Sequence, residues 1–334
     1  MVEEIFTVIQ RGKRLKTADH IPGDIPYVSS SAQNNGVDAF IGNSENVRKF
    51  KNCLTIANSG SVGKCFYHPY EFIASDHVTA LSSPNLNKYH YLFLARQLER
   101  LQEKYNFNRE MTDARIRREK IILPVTDDGS PDFEFMEAYI QKIEAEQLQR
   151  YREFVQAVDA APVEPLNQKR WRTFNLIDVF SIHATSSGID KNKLDLTAGE
   201  FPYVTRTDRN NGIQCYVCEQ PSYKLDAGNC ITVGLDTQTA FYQPKAFYTG
   251  QNIQILRNDH LNEYVAQFLL PCLKKTLSLF SWGGNGATLT RLRRSKIQLP
   301  VNDDGEPDFD YMAAYMKNII AEKYRKYLDY IGDD

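Results

Sequence analysis

Two short runs of arginine and lysine carry the chemistry that is easiest to recognise in this sequence. Each run places four cations within six residues, with the same spacing in both runs. The cations are Arg115, Arg117, Arg118 and Lys120 in the first run and Arg291, Arg293, Arg294 and Lys296 in the second. Clustered cations of this kind suit several contacts with nucleic-acid phosphates. The alternative interpretation, which the sequence leaves open, is a solvated basic edge that pairs with nearby carboxylates.

Several motifs resemble parts of enzyme sites but lack the residues that the chemistry needs. Residues 60–65 contain two glycines and a lysine, yet their spacing is wrong for a phosphate-binding loop and favours a hairpin turn. Cys215 and Cys218 form a Cys-x-x-Cys pair without the second pair of a zinc site. No Glu-x-Lys strand follows Pro131-Asp132, and the sequence has neither a glycine-rich nucleotide loop nor an Asn/Asp-Pro-Pro-Tyr/Phe segment. We therefore predict a chain with no catalytic site, no metal site and no cofactor of its own.

The chain repeats itself at a spacing of 176 residues. Residues 121–151 and 297–327 are identical at 17 of 31 positions, and both read Ile-x-Leu-Pro-Val-x-Asp-Asp-Gly-x-Pro-Asp-Phe. Upstream, the Asn-Asn-Gly of residues 34–36 returns at 210–212. A repeat of this length predicts two copies of one folding unit.

Each copy predicts a β-rich part followed by a long amphipathic helix. Residues 53–57 and 230–234 have strand character, and Ser130 with Pro131 suits a helix N-cap and first position. The predicted fold class is α+β: two tandem β-rich domains, each followed by a long α-helix, with the two helices pairing antiparallel about a pseudo-twofold axis. The predicted boundaries are 1–126 for the first domain, 127–158 for its helix, 159–166 for a hinge, 167–302 for the second domain and 303–332 for its helix.

The helices carry an apolar stripe at spacings of three and four residues. Such stripes are usually part of a core, but helices this long also suit contacts with a partner. The residues predicted to bind partner subunits are Met136, Ile140 and Ile143 in the first helix and Met312, Met316 and Ile319 in the second.

The two copies share scaffold residues and differ in their predicted loops. Two DNA-binding domains that recognise different short base sequences need different loops on the same framework. Neutral drift of surface loops would produce the same difference between the copies. Asn and Gln suit adenine, and Arg suits guanine. The candidates for DNA contact in these loops are Asn34, Asn35, Ser61, Lys64, Arg206, Arg209, Asn210, Asn211, Thr237, Gln238, Trp282 and Asn285. The Asn-Asn-Gly segments also suit simple turns.

Composition sets the remaining limits. The chain has 334 residues, 42% of them hydrophobic, and a formal net charge of −2, which disfavours a nucleic-acid binder unless positive charge is local. The six cysteines show no disulfide-dense spacing, and neither a signal peptide nor a membrane-length apolar stretch is present. These features predict a cytoplasmic protein without membrane contact.

The order of the segments resembles one known family across essentially the whole chain. Residues 56–63 (Ile-Ala-Asn-Ser-Gly-Ser-Val-Gly), the Leu-Pro-Val strands at 123–125 and 299–301, and the Asp-Asp-Gly-x-Pro-Asp-Phe turns are similar to those of specificity (S) subunits of type I restriction–modification enzymes. The Asp-Asp-Gly turn favours the type IIB, BcgI-like branch.

The resemblance implies that each copy is a target-recognition domain reading one part of a bipartite double-stranded DNA site. The helices would space the halves and dock two modification subunits, which would carry S-adenosylmethionine, Mg²⁺ and the methyltransferase and nuclease activities. It implies no catalytic residues in this chain. Two alternatives remain: a protein-interaction module or inactive paralogue that no longer reads DNA, and a stand-alone nuclease, against which the missing metal-carboxylate cluster argues.

Overall fold

The computed structural model describes residues 1–105, 109–158, 163–281 and 286–332. Contacts within the chain divide it into two compact units, Met1–Gln149 and Arg150–Asp334. The division falls inside the first long helix, and residues 159–162 of the predicted hinge lie outside the described residues. The predicted domain boundaries stay predictions.

Unit 1 contains eight strands among its described residues and four helices, the last of which extends into unit 2. The strands are β1 (Val8–Arg11), β2 (Pro22–Val28), β3 (Val37–Ile41), β4 (Lys49–Phe50), β5 (Cys53–Ala57), β6 (Cys65–His68), β7 (Phe72–Ala74) and β8 (Val78–Ser82). The helices are α1 (Val2–Ile5), α2 (Lys88–Glu99), α3 (Asp113–Arg118) and α4 (Phe133–Ala157). The strands form two sheets, in the orders β1-β8-β5-β6 and β3-β2-β7-β4.

Unit 2 repeats this plan. Its strands are β9 (Trp171–Asn175), β10 (Ser181–Ala184), β11 (Phe201–Val204), β12 (Ile213–Val217), β13 (Cys230–Gly234), β14 (Ala240–Gln243), β15 (Tyr248–Thr249), β16 (Ile253–Arg257) and β17 (Lys296–Pro300). Its helices are α5 (Leu176–Val179), α6 (Glu263–Leu277), α7 (Leu289–Arg294) and α8 (Phe309–Gly332). The sheet order β10-β16-β13-β14 matches that of unit 1, and β12-β11-β15 matches β3-β2-β7 without a fourth described strand in the place of β4. In addition, β17 pairs with β9 in a two-stranded sheet.

The buried strands explain why each unit has its own core. All five residues of β5 and all five of β13 are buried, because each of these strands lies between two neighbours in its sheet. In unit 1, Leu54 and Ile56 of β5 pack with Leu94 and Leu98 of α2. The strands predicted at 53–57 and 230–234 are confirmed with the predicted bounds, and the predicted fold class, α+β with two β-rich domains and long helices, is confirmed.

The N-cap residue of each long helix is an aspartate, Asp132 for α4 and Asp308 for α8. The Oδ1 atom of Asp132 accepts a hydrogen bond from the backbone N–H of Phe135 at 2.9 Å, and Asp308 does the same for Tyr311 at 2.9 Å. At this position a carboxylate accepts a hydrogen bond from an otherwise unpaired backbone amide, and its negative charge interacts favourably with the positive end of the helix dipole. The sequence-based placement of Ser130 as N-cap is therefore wrong.

The C-terminal part of α4 packs antiparallel against α8 within unit 2. Tyr151 stacks on Tyr324 with ring centroids 4.1 Å apart and also contacts Tyr327 edge-on. Phe154, one turn later in α4, contacts Tyr324 and reaches Tyr264 of α6. Tyr151 thus contacts Tyr324 and Tyr327, whereas the later Phe154 contacts Tyr324, so the two helices run in opposite directions. Lys317, which is earlier in α8, lies over the ring of Tyr264, which Phe154 also contacts. The predicted antiparallel pairing rests on aromatic side chains.

Candidate nucleic-acid interface

Two turns of unit 1 lie side by side at one edge of the sheets. Turn A (residues 29–36) follows β2, and the backbone N–H of Ser29 donates to the carbonyl of Gly36 at 2.8 Å. Turn B (residues 58–64) joins β5 to β6, as the predicted hairpin requires, and the N–H of Ser61 donates to the carbonyl of Ser30 at 3.0 Å. A Cβ on Gly60 would lie 2.8 Å from Ser30 Oγ, so the close approach of the turns depends on this glycine.

Unit 2 brings the equivalent segments together. Its turn A (residues 205–212) is closed by a 2.8 Å hydrogen bond from the N–H of Thr205 to the carbonyl of Gly212. Its turn B (residues 235–239) joins β13 to β14, and an ion pair between Arg206 and Asp236 links the two turns. The same two turns are therefore adjacent in both units.

The basic helices follow directly from a loop that contacts turn B. The N–H of Met111 donates to the carbonyl of Asn58 at 3.0 Å in unit 1, and the N–H of Ala287 donates to that of Leu235 at 3.1 Å in unit 2. These loops lead into α3 and α7, which hold the repeated arginines. Turn A, turn B and the basic helix thus form one continuous strip in each unit.

Two of the three repeated arginines in each helix hold the fold together. Arg117 Nη2 donates to the carbonyl of Ile9 at 2.7 Å, and Arg293 Nη2 donates to that of Ile182 at 2.8 Å. The preceding arginines bond their own approach loops: Arg115 Nη1 to the carbonyl of Glu110 at 2.6 Å and Arg291 Nη1 to that of Gly286 at 3.0 Å. In each unit, two guanidinium groups therefore anchor the basic helix, one to a strand and one to a loop.

The other cations of the two runs face solvent. Arg118, Lys120, Arg294 and Lys296 are all exposed, and none of their side chains makes a hydrogen bond or ion pair with the described part of the chain. Glu119, the acid between the first two, instead accepts from Lys104 at 2.7 Å and from Tyr105 at 2.5 Å. Burial would raise the pKa of Glu119, but these hydrogen bonds outweigh it and lower that pKa. The free positive charge of the two runs therefore lies at the C-terminal end of each basic helix and just after it, at Arg118 and Lys120 in unit 1 and at Arg294 and Lys296 in unit 2.

The asparagines of turn A have a backbone role. Asn34, Asn35, Asn210 and Asn211 all have positive φ angles, between 47° and 56°, which asparagine tolerates better than most residues. Asn210 donates its amide to the carbonyl of Ile213 at 3.0 Å and Asn211 to that of Tyr242 at 2.8 Å. The side chains of Asn34 and Asn35 are exposed.

Several other candidates have partners inside the protein. Lys64 forms an ion pair with Glu99 at 3.3 Å, and Gln238 donates to two carbonyls of its own turn. Thr237 shares a 2.9 Å hydrogen bond with Thr239. Arg209 is exposed and Ser61 is half-buried, and neither side chain has a hydrogen-bond or ion-pair partner among the described residues. Trp282 and Asn285 lie outside the described residues.

A polar cleft of about 430 Å³ beside turn A of unit 2 was not predicted from the sequence. Its walls include Lys191, Gln214 and Gln251 together with Arg206. These residues come from several separate segments of the sequence, so no single local pattern could have identified the cleft.

Two of the residues predicted to bind partners are buried in the cores. Met136 and Met312 are both 0% exposed, because the first turns of α4 and α8 lie on their own units. Their predicted role in partner binding is therefore wrong. The remaining four are accessible: Ile143 is 46% exposed, and Ile140, Met316 and Ile319 are half-buried.

No group of three or more His, Cys, Asp and Glu side chains in the described residues is arranged to hold a metal ion. The six cysteines are free thiols. Burial raises the pKa of Cys53 and Cys230 to about 12, so both behave as small apolar residues. Over the same ranges, the structure has no helix long and apolar enough to cross a membrane.

Comparison with known proteins points to one family. The sequence model of the type I restriction modification DNA specificity domain matches residues 1–153 and 168–327. A specificity subunit, S.BcgI of a type II restriction enzyme from Heyndrickxia coagulans, is 37% identical over 145 residues. That alignment covers 43% of this chain and 42% of the relative, so the chain matches less than half of that relative's length.

Solved structures of S subunits give low-level matches along the chain. The S subunit of a type I restriction–modification system from M. genitalium aligns with a TM-score of 0.45 at 14% identity, covering 98% of this chain and 90% of that one. The HsdS subunit from Thermoanaerobacter tengcongensis aligns with a TM-score of 0.34 at 15% identity, covering 96% and 88%.

Proposed function

Because the chain belongs to the family of type I restriction modification DNA specificity domains, we propose that it is the DNA sequence-specificity subunit of a restriction–modification complex. Each unit reads one part of a bipartite site in double-stranded DNA. The observation that carries the proposal is the continuous strip of turn A, turn B and basic helix, which occurs in both units with free cations at the same positions.

The strip makes two kinds of contact with DNA, one to phosphates and one to base edges. Arg118 and Lys120, with Arg294 and Lys296, contact phosphates and fix the position of each unit on the duplex. Exposed side chains of the turns, such as Asn34, reach base edges. Local charge on the strip explains how a chain with a net charge of −2 binds a polyanion.

The chain acts without catalysis of its own. Two modification subunits dock on the exposed parts of α4 and α8 and supply S-adenosylmethionine, Mg²⁺ and the methyltransferase and nuclease activities. A cytoplasmic location, where the target DNA and these subunits are found, completes the proposal, and the free cysteines agree with a reducing compartment.

Selection from a random duplex library, using this chain assembled with its modification subunit at moderate salt, tests the proposal. We expect enrichment of two short fixed blocks at constant separation. Enrichment of nothing by an assembled complex would overturn the proposal and favour a protein-interaction module.

Charge variants make the test specific to the strip. Replacing Arg118 and Arg294 by alanine should weaken binding to every enriched sequence alike, because phosphate contacts carry no sequence information. The matched control replaces Lys51 and Lys245, exposed lysines beside the ends of β5 and β14 that lie away from turn B, and should bind as the wild type does.

A further inference from the structure

The polar cleft of unit 2 continues the strip that is proposed to contact DNA. Turn A contributes Thr205, Arg206 and Thr207 to its lining. Tyr203 also lines the cleft but is only 2% exposed, and its hydroxyl donates to the carbonyl of Ile189 at 3.0 Å. The cleft therefore has a tyrosine fixed at its base and one side formed by a turn of the strip.

Two amide side chains in the cleft are not used by the fold. Gln214 and Gln251 line the cleft and are exposed, and neither side chain makes a hydrogen bond with the described part of the chain. Lys191, which also lines the cleft, is exposed and has no hydrogen-bond or ion-pair partner among the same residues. A concave site with free donors, free acceptors and a free cation suits a polar ligand.

A β-bulge sets the position of the first amide. Tyr203 of β11 lies opposite Cys215 of β12. The next residue, Val204, lies opposite Ile213, so Gln214 is an extra residue in β12. A bulge bends its strand and changes the direction of the side chain that it carries, and bulges are frequent beside functional sites.

Unit 1 has the same framework with carboxylates at both positions. Asp38 is the extra residue between β2 and β3, as Gln214 is between β11 and β12. Asp76 is the copy of Gln251, because the residue before each donates its backbone N–H to the carbonyl of the last valine of β2 or β11, at 3.0 and 2.8 Å. Asp38 is exposed without an ion-pair partner in the described residues, and Asp76 lies 4.0 Å from the ring of His77.

Both carboxylates of unit 1 lie near the equivalent tyrosine. Tyr27 takes the place of Tyr203, and its hydroxyl donates to the carbonyl of Leu15 at 3.4 Å. Burial raises the pKa of Tyr27, and the negative charges of Asp76 and Asp38 raise it further. The two units thus share the base of the site and differ in the groups around it.

Cations accompany these carboxylates. Arg14 and Lys16 flank Leu15 in the sequence, and both are exposed with no side-chain hydrogen bond or ion pair to the described part of the chain. They supply beside Tyr27 the positive charge that Lys191 supplies in unit 2. A polyanion is therefore attracted to this part of unit 1 despite the two carboxylates.

We propose that Gln214 and Gln251 select an adenine in the block that unit 2 reads. Asp38 and Asp76 select a cytosine at the equivalent position of the block that unit 1 reads. This inference rests on the proposed function. An amide donates to N7 of adenine and accepts from its N6 amino group, whereas a carboxylate accepts from the N4 amino group of cytosine. A carboxylate only accepts, so the N7 atom beside the amino group of adenine repels it.

The base that is read stays paired in the duplex. A base turned out of the duplex needs aromatic or apolar faces on which to stack. Tyr203 is the only aromatic residue among the described residues that line the cleft, and it is buried. Exposed amides beside turn A instead suit the edge of a stacked base.

Library selection with exchanged side chains tests the proposal, using the full chain assembled with the modification subunit. We expect the variant with both Gln214→Asp and Gln251→Asp to replace one adenine by cytosine in one block. The other block and the separation should stay unchanged, and affinity for the wild-type sequence should fall about tenfold. Enrichment of the unchanged wild-type blocks would overturn the proposal, as would a shift at a position where the wild type selects another base.

The reciprocal exchange is made in unit 1. The variant with both Asp38→Gln and Asp76→Gln should replace one cytosine by adenine in the other block only. A change in the block that the unit 2 variant alters would contradict the proposal.

Two further variants separate base reading from charge and from folding. Gln267→Asp adds a negative charge at an exposed position of α6 outside the cleft lining and should select the wild-type blocks. Gln251→Ala removes one amide without adding charge, and should lower the preference for adenine at the same position even if the double variant fails to fold. Full preference in the alanine variant would count against the proposal.

These outcomes are distinguishable from failure of the proposed function. A wild-type complex that selects two blocks, with variants that select the same two blocks, would overturn this inference alone. An assembled wild-type complex that selects no sequence would overturn both.

Discussion

Neighbouring arginines in one basic helix have different roles. Arg117 donates to the carbonyl of buried Ile9, whereas Arg118 faces solvent. We expect Arg117→Ala to cost about 1–3 kcal/mol of unfolding free energy, because it leaves a carbonyl without a partner. Arg118→Ala should change stability by less than about 0.5 kcal/mol but reduce the salt dependence of DNA binding by about one phosphate contact.

Thermal unfolding and binding titrations over a range of salt concentrations measure the two effects separately. Arg293 and Arg294 should repeat the pattern in unit 2, because Arg293 donates to the carbonyl of Ile182. Equal loss of DNA binding and of stability in both members of a pair would contradict this division.

His68 makes the stability of unit 1 depend on pH. Burial lowers its pKa to about 4 from the ordinary value of 6.5, since the ring lies against Thr55 with its Nε2 atom 2.9 Å from Oγ1. The unfolded chain therefore binds a proton at a higher pH than the folded chain does. Stability is complete above about pH 6.5 and is lost as pH falls towards 4, by about 3 kcal/mol at pH 4.

Unit 2 provides the control for this prediction. Gln243 occupies the position of His68 in β14, and its Nε2 atom donates to Thr232 at 3.2 Å. His68→Gln should therefore fold normally and remove this part of the pH dependence. Chemical denaturation at pH 7, 5 and 4 measures the free energy of unfolding of the variant and of the wild type. If this free energy falls equally with pH in both proteins, the assignment to His68 is refuted.

At the scale of elements, the contact between α4 and α8 depends on stacked tyrosines. Tyr151 and Tyr324 have ring centroids 4.1 Å apart at an interplanar angle of 20°. We expect a double-mutant cycle with alanine at both positions to give a coupling energy of about 0.5–1.5 kcal/mol, typical of aromatic pairs. Tyr330, which is 71% exposed, supplies a control position in α8 that should show no coupling to Tyr151.

At the scale of the whole molecule, two equivalent strips should act on separate parts of the DNA site. Arg209 lies in turn A of unit 2 and Asn34 in turn A of unit 1. We expect Arg209→Ala to relax base preference in one selected block only, at a cost of about 1–3 kcal/mol for its preferred base, and Asn34→Ala to affect the other block. The separation of the blocks should not change. Library selection measures all three properties, and loss of preference in both blocks from one substitution would disprove independent reading.

The repeat in the sequence determined the architecture. Two copies with matching strands at 53–57 and 230–234 predict one topology used twice, because the alternation of apolar residues and the turn residues are local properties that each copy carries. The long helices and the position of the basic runs followed in the same way. The family could be identified from the order of these segments.

Only the tertiary structure decided which residues of a sequence pattern are exposed and which are used within the fold. Met136 belongs to an apolar stripe that either a core or an interface would require, and it was the packing of α4 on its own unit that placed it in the core. The sequence could not separate Arg117 from Arg118, because the carbonyl that Arg117 bonds lies 108 residues away along the chain. Ile297 and Leu299 are buried because β17 pairs with β9, a strand from a distant part of the sequence. Strand pairing is a contact between distant parts of a chain, so a local pattern specifies a strand edge but not its partner.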